Sequence, residues 1–258
     1  MGRPFILVQL SDPHIGAEWG VGDPVAGLAA SVASVRELRP APDAVLVSGD
    51  LVDHGSDAEY AEVASLLEEL DAPVYPLPGN HDDRDALRRQ FGIPGEAGGP
   101  VQYAVDLGPL RVLALDSTRP GADSGELDAG RLAWLEDALS ADPHTPTVLA
   151  LHHPPLLTHA PALDALALAG DDRAALAEIV ARHRSVALIV AGHVHRAIAG
   201  DLAGRRVLSA PSTYVGFRLD LVGTELQSIP APLGYVVHVL HDGELVSHVH
   251  ALSASPCV

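Results

Sequence analysis

Eight side chains able to bind a metal or move a proton follow short apolar runs in this sequence. They are Asp12 and His14 after Phe5–Leu10, Asp50 after Ala44–Val47, Asn80 and His81 after Ala72–Leu77, His152 after Thr147–Leu151, and His193 and His195 after Ser185–Val190. Leaving His81 aside, the other seven are oxygen and nitrogen donors that suit two divalent metals with positions left for water and substrate. Asp50 stands alone at its strand end, and a carboxylate has two oxygens, so it is the natural bridge between a pair. His81 lies one residue beyond Asn80, facing whatever the metals hold. Two divalent ions bring about four positive charges; Asp12 and Asp50 cancel two and a bridging hydroxide a third. The remainder suits a singly charged phosphodiester slightly better than a dianion. Each motif alone also reads as an ordinary turn. Their recurrence at strand exits is what singles them out.

Such a site needs elements that deliver strand ends to one place. Phe5–Leu10, Ala44–Val47, Ala72–Leu77, Thr147–Leu151 and Ser185–Val190 read as buried strands. Val101–Leu107 and Leu110–Leu115 add two more around Gly108-Pro109. Helical spacing of apolar residues predicts helices over Val25–Leu38, Asp57–Leu70 (with Ser56 or Asp57 as cap), Asp128–Leu139 and Asp171–His183. Strands alternating with helices argue for parallel pairing with helices outside, and ligands in such sheets bind at the carboxyl ends of the strands. After His195 the period becomes strand-like, at Arg206–Ala210, Tyr235–Leu240 and Glu244–Val249. His238, His248 and His250 alternate in the last hairpin and are read as a solvated face.

The 258 residues show no linker, repeat or charge block, so one domain over 1–258 is expected. Hydrophobic residues at 47% allow a sizeable core, and aromatics at 4% make it aliphatic. The formal net charge of −18, from 16 basic against 34 acidic residues, argues against nucleic acid and anionic membranes as partners. An anionic substrate then needs a local positive source, which bound metal supplies. One cysteine, Cys257, excludes a disulfide framework and a thiolate metal site. The start Met1-Gly-Arg-Pro has no signal-peptide pattern. The longest uncharged run, Pro143–Leu163, is broken by prolines and histidines and is no membrane span. A soluble, cytoplasmic protein is expected.

Asp12-Pro-His14, Gly49-Asp50, Gly79-Asn80-His81-Asp82, His152-His153-Pro-Pro and Gly192-His193-Val-His195 resemble, in order, the motif series of the calcineurin-like metallophosphoesterases. The resemblance spans about Phe5 to Ala210. Asp82 after Gly-Asn-His is similar to the class III cyclic nucleotide phosphodiesterase branch, which includes bacterial glycerophosphodiesterases. It implies an α/β fold, a four-layer αββα sandwich of two mixed sheets flanked by helices in a single domain. Residues 211–258 would then add C-terminal strands and a substrate- or oligomer-contact segment. The resemblance also implies that Asp12, His14 and His195 hold one metal, that Asn80, His152 and His193 hold the other, and that Asp50 bridges them. The metals would be manganese, iron or zinc. His153 would stand behind the ligands. The catalytic residues would be Asp50 and His81: a metal-bound hydroxide attacks phosphorus, and His81 protonates or stabilises the leaving oxygen.

The expected substrate is a small phosphodiester, foremost a 3′,5′-cyclic nucleotide such as cyclic AMP. A glycerophosphodiester or a broad range of phosphomono- and diesters is the alternative, because the same metal core serves all of them. A scaffold that has lost its chemistry would lack donors, and none of the seven is missing. A nuclease would show a basic track. A homodimer or higher homo-oligomer is left open. Asp53 either orients a ligand histidine or stabilises its own turn, and the same two readings apply to Asp82 and Asp116. Substrate selection is expected from Gly16–Asp23, Leu156–Leu168 and Ser212–Arg218. Within these loops Trp19, Tyr214 and Phe217 are candidates to stack on a base, and Arg218 to meet a phosphate. Ordinary packing is the alternative for each.

Overall fold

A computed structural model describes residues 2–252; Cys257 and the last residues of the expected domain lie outside it. Two sheets face each other. The first contains β1 (Phe5–Leu10), β2 (Ala44–Ser48), β3 (Val74–Leu77), β12 (Gly234–His241) and β13 (Glu244–Ala251), in the order β13-β12-β1-β2-β3. The second contains β4 (Tyr103–Asp106), β5 (Arg111–Ala114), β6 (Thr147–Ala150), β7 (Val186–Ala191), β8 (Ile198–Leu202) and β9 (Arg205–Ser209), in the order β4-β5-β6-β7-β9-β8. Pairing is parallel from β1 to β3 and from β5 through β7 to β9, and antiparallel at the flanks. A small hairpin, β10 (Gly216–Phe217) with β11 (Ser228–Ile229), stands apart.

Alternation along each strand assigns the layers. In β1, Leu7 turns to the facing sheet with Leu46, Leu77, Val148, Ala150, Leu188 and Val190. Ile6, Val8 and Leu10 turn outward to Leu28, Val32, Tyr60, Val63 and Leu87. These come from α1 (Pro24–Arg36), α2 (Asp57–Leu67) and α3 (Arg84–Phe91). Beyond the second sheet, Leu113, Leu149 and Ile189 meet Leu135, Leu139, Leu176 and Val180 of α4 (Ala129–Ala141) and α6 (Gly170–Arg182). A single turn, α5 (Pro161–Asp164), interrupts the expected loop before α6. The result is the four-layer αββα sandwich.

The helix starts follow side-chain capping. Asp23 and Asp128 accept backbone N–H bonds at α1 and α4, and Ser56 and Glu59 form a reciprocal capping box at α2. Besides the short α5, β10 and β11, helix α3 and strand β8 escape the periodicity reading. Helix α3 carries too few apolar residues to stand out, although Asp83 caps its start and left-handed Gly92 its end. β8 pairs with β9 across a two-residue turn, Ala203-Gly204, rather than following from hydrophobicity. One expectation is corrected. His248 and His250 are exposed, but His238 is fully buried, because it sits on the face of β12 turned to the second sheet.

Candidate dinuclear metal centre

The strand exits of both sheets meet above the inter-sheet core. β1 delivers Asp12 and His14, β2 delivers Asp50, and the loop after β3 delivers Asn80 and His81. From the other sheet, β6 delivers His152 and His153, and β7 delivers His193 and His195. Asp12, His14 and His195 have donor atoms within 4.8 Å of one another, as do Asp12, Asp50 and His152, and also His14, Asp50 and His81. Asp50 therefore lies between the two groups. Its Oδ2 is 3.5 Å from His14 Nε2 and 3.2 Å from His152 Nε2, while Oδ1 accepts the His81 N–H at 2.9 Å. The backbone is strained here: Asp12, His14, Asp50, His193 and His195 all have φ between 48° and 70°. Such left-handed conformations are unfavourable for these residues and persist where surrounding structure enforces them.

Each of the four inward imidazoles has one nitrogen tied to an acceptor. His14 Nδ1 meets Asp53 Oδ1 at 3.1 Å, and His152 Nδ1 meets the Ser48 carbonyl at 2.8 Å. His193 Nε2 donates to the Leu166 carbonyl at 3.1 Å, and His195 Nδ1 donates to the Val215 carbonyl at 2.9 Å. This fixes the tautomer and turns the other nitrogen's lone pair into the centre. In the neutral form that ligation requires, His14 Nε2 and His195 Nε2 then face each other at 3.1 Å, two lone pairs with no proton between them. His193 Nδ1 and Asn80 Oδ1 are buried without hydrogen-bond partners, and His152 Nε2 has only the Asp50 carboxylate near it, at 3.2 Å. Buried polar atoms seldom stay unpaired. Facing lone pairs, orphaned donors and two buried carboxylates fit divalent cations.

The charges agree. Burial drives His195 well below its ordinary range and His193 to about 3, keeping both neutral as ligation requires. Burial also lowers His152, but Asp50 and Asp12 outweigh it and lift the group to about 9. His14 is raised in the same way, by Asp50 and Asp53 against burial. The carboxylates thus recruit protons onto two imidazoles, which is the electrostatic work that bound cations do. Burial likewise lifts Asp12 to about 6.

His153 is set apart: its Nδ1 accepts from the Ser117 hydroxyl at 2.9 Å and its Nε2 donates to the Asp123 carbonyl at 3.1 Å. Both nitrogens are occupied, so it packs behind His152 and His193. Asp53 goes beyond stabilising its own turn, because its Oδ1 also accepts from Trp19 Nε1 at 2.9 Å and lies 3.2 Å from His81 Nδ1. Asp82 and Asp116 are spent on structure. Asp82 binds the N–H groups of Leu51 and Gly79 and the Tyr60 hydroxyl, and Asp116 pairs with Arg84.

Above the centre opens a cleft of about 370 Å³, lined by His14, Trp19, Asp50, Asn80, His81, His193, His195 and Phe217, with Leu166, Leu226 and Asp123 further out. Phe217 stacks on His195 at 4.3 Å and 19°, and Trp19 lies nearly parallel to Phe217 at 6.3 Å. Tyr214 does not line the cleft; it packs edge-on behind Trp19 at 5.3 Å, its hydroxyl donating to the Trp19 carbonyl. Arg218 does not line it either. The chain alternates after Phe217, leaving Arg218 exposed. No arginine among the described residues lines the cleft. Sequence reasoning missed Asp123, Leu226 and Ser228; the bracketing glycines of Gly121-Ala-Asp-Ser-Gly125, after the Asp116-Ser117 strand exit, were the available signal for Asp123.

The pattern of the calcineurin-like phosphoesterases matches residues 6–197, and the chain belongs to that family. It is 32% identical over 255 residues to the 3′,5′-cyclic adenosine monophosphate phosphodiesterase of Escherichia coli K12, covering 96% of this chain and 90% of that protein. It is 33% identical over 257 residues to a glycerophosphodiester phosphodiesterase of Enterobacter lignolyticus, covering 96% and 92%. A dimetal phosphatase from Danio rerio shares the fold, with a TM-score of 0.74 at 17% identity over 97% of this chain and 98% of that one. The chain is a metallophosphoesterase, a hydrolase. No helix among the described residues is long and apolar enough to cross a membrane.

Proposed function

We propose that this enzyme hydrolyses 3′,5′-cyclic nucleotides, cyclic AMP foremost, at a dinuclear centre. Asp12, His14 and His195 hold one divalent metal, Asn80, His152 and His193 the other, and Asp50 lies between them. The observation that carries the substrate is the stacked surface of Phe217 and Trp19 in a cleft that no arginine lines. Such a surface suits an uncharged planar base, and base–aromatic stacking contributes about 1–3 kcal/mol. A volume of about 370 Å³ suits a small molecule rather than a polymer.

The bound metals, of which manganese, iron and zinc are the candidates, supply Lewis acidity and the positive charge that no arginine gives the cleft. The protein does the rest. His81 Nδ1 donates to the Asp53 carbonyl at 3.1 Å, leaving Nε2 as the nitrogen available to the cleft. With the Asp53 carboxylate 3.2 Å from its Nδ1 orienting the ring, His81 delivers a proton to the departing ester oxygen as water adds to phosphorus. Phe217 and Trp19 orient the base so that this oxygen lies toward His81.

A second reading rests on Asp123, whose place on the rim suits the ammonium of a glycerophosphodiester headgroup. Hydrolysis by manganese-loaded protein of 3′,5′-cyclic AMP, glycerophosphoethanolamine and p-nitrophenyl phosphate separates the readings. We expect preference for cyclic AMP, and in Phe217→Ala a KM for it raised about tenfold with glycerophosphoethanolamine unaffected. Preference for glycerophosphoethanolamine, lost in Asp123→Ala, overturns the nucleotide reading and keeps the centre.

A further inference from the structure

The space between the sheets is aliphatic except along one line. His238, Gln9, Ser48, Ser11 and Asp12 are all fully buried, and they connect β12, β1 and β2 into a single chain of hydrogen bonds. It starts at Ser247 on β13, whose Oγ is 2.8 Å from His238 Nδ1; His238 Nε2 is 3.2 Å from Gln9 Oε1. Gln9 Nε2 donates to Ser48 Oγ at 2.8 Å, Ser48 Oγ to Ser11 Oγ at 2.7 Å, and Ser11 Oγ to Asp12 Oδ2 at 2.6 Å. Gly192 leaves the room, since a Cβ there would lie 2.2 Å from Ser11 Oγ.

The partners set the bond directions; only the Ser48 hydroxyl has a second acceptor, the Leu10 carbonyl at 3.3 Å, further than Ser11 Oγ. Gln9 Nε2 also donates to the Ala191 carbonyl at 2.9 Å, which only accepts, so the amide oxygen must face His238. His238 therefore carries its proton on Nε2 and accepts from Ser247. Burial holds it neutral, with its pKa lowered to about 3. At the far end Asp12 is a carboxylate, so Ser11 donates to it and must in turn accept from Ser48. Five donations run the same way and end on one oxygen. Aligned bonds in a low-dielectric interior polarise one another, and a histidine and a glutamine placed among leucines and valines need such pairing to be tolerated.

We propose that His238 is a positioning residue for the metal centre: through Gln9, Ser48 and Ser11 it holds the Asp12 carboxylate in place and so sets the affinity of the metal position that Asp12 shares with His14 and His195. This rests on the reading of Asp12 as a ligand. Its reach is from the edge hairpin to the centre, across four strands of the first sheet.

The test is calorimetric titration of the metal-free protein with manganese, resolved into two binding steps, with melting temperature as the check on folding. Ser11→Ala is expected to weaken one step about 10–100-fold, as loss of a ligand's hydrogen-bond partner does. His238→Phe is expected to weaken the same step about three- to tenfold, being further along the chain, and to leave the other step unchanged. His238→Gln, whose amide can donate to Gln9 and accept from Ser247, restores the wild-type affinity. The double variant His238→Phe/Ser11→Ala is no weaker than Ser11→Ala alone, as expected for residues acting in series. If His238→Phe does not fold, Gln9→Leu breaks the next link within aliphatic surroundings and gives the same shift. Unchanged steps in the His238 and Gln9 variants, or additive losses in the double variant, overturn the relay while Asp12 remains a ligand. Unchanged steps in both Asp12→Asn and Ser11→Ala overturn the ligand reading and the relay together.

Discussion

The two sheets hold their shares of the centre by different means. The first sheet gives Asp12, His14, Asp50 and Asn80, and side chains support two of them: Ser11 at Asp12 and Asp53 at His14. The second sheet gives His152, His193 and His195, and main-chain carbonyls of Ser48, Leu166 and Val215 support all three. A carbonyl acceptor survives any side-chain substitution at its residue, so the imidazole half is fixed by the fold itself. The carboxylates also accept main-chain N–H groups, Asp12 from His193 and Asp50 from His81, but the Ser11 and Asp53 contacts of the first sheet can each be exchanged by a single substitution. Affinity and reactivity are therefore adjustable from the first sheet and rigid on the second.

Asp50 belongs to both halves, and Asp50→Asn has the largest expected effect. Losing the shared negative charge should weaken both metal steps and lower kcat/KM by about a thousandfold or more, since charge stabilisation by metals is worth several kcal/mol. Retained affinity at either step would show that Asp50 serves one half only. The imidazole half can be disturbed through the backbone at Gly49. Its φ is +94°, and a Cβ there would come 2.3 Å from His152 Nδ1. Gly49→Ala should therefore displace His152 and reduce activity about a hundredfold, while a variant of normal activity would mean the second half is as adjustable as the first. Asp53→Asn should fall between about 10- and 100-fold, weakening the His14 side while the step at His152 and His193 stays unchanged. Equal losses at both steps would erase the distinction.

Much of this was legible in the sequence because strand exits carry their chemistry in short contiguous motifs. Gly49-Asp50 and Gly192-His193-Val194-His195 place donors directly after apolar runs, so reading the strands meant reading the candidate donors. What failed to show depends on long-range pairing. Hydrophobic alternation put His238 in a hairpin but could not say which face of β12 would meet the second sheet, and that face decides its burial. Arg218 follows Phe217 by one residue and so points away from the cleft, a consequence of strand pairing in β10 that composition does not signal. Asp53 was readable as a histidine partner, but its bond to Trp19 requires the loop after β1 to fold back over β2.

A dinuclear centre is tested most directly by the manganese bound per chain at saturation in the wild type and in His193→Ala. Donors from two sheets enclosing two cations predict two ions in the wild type and one in the variant. One ion in the wild type, or two in both, would contradict a dinuclear centre spanning the sheets.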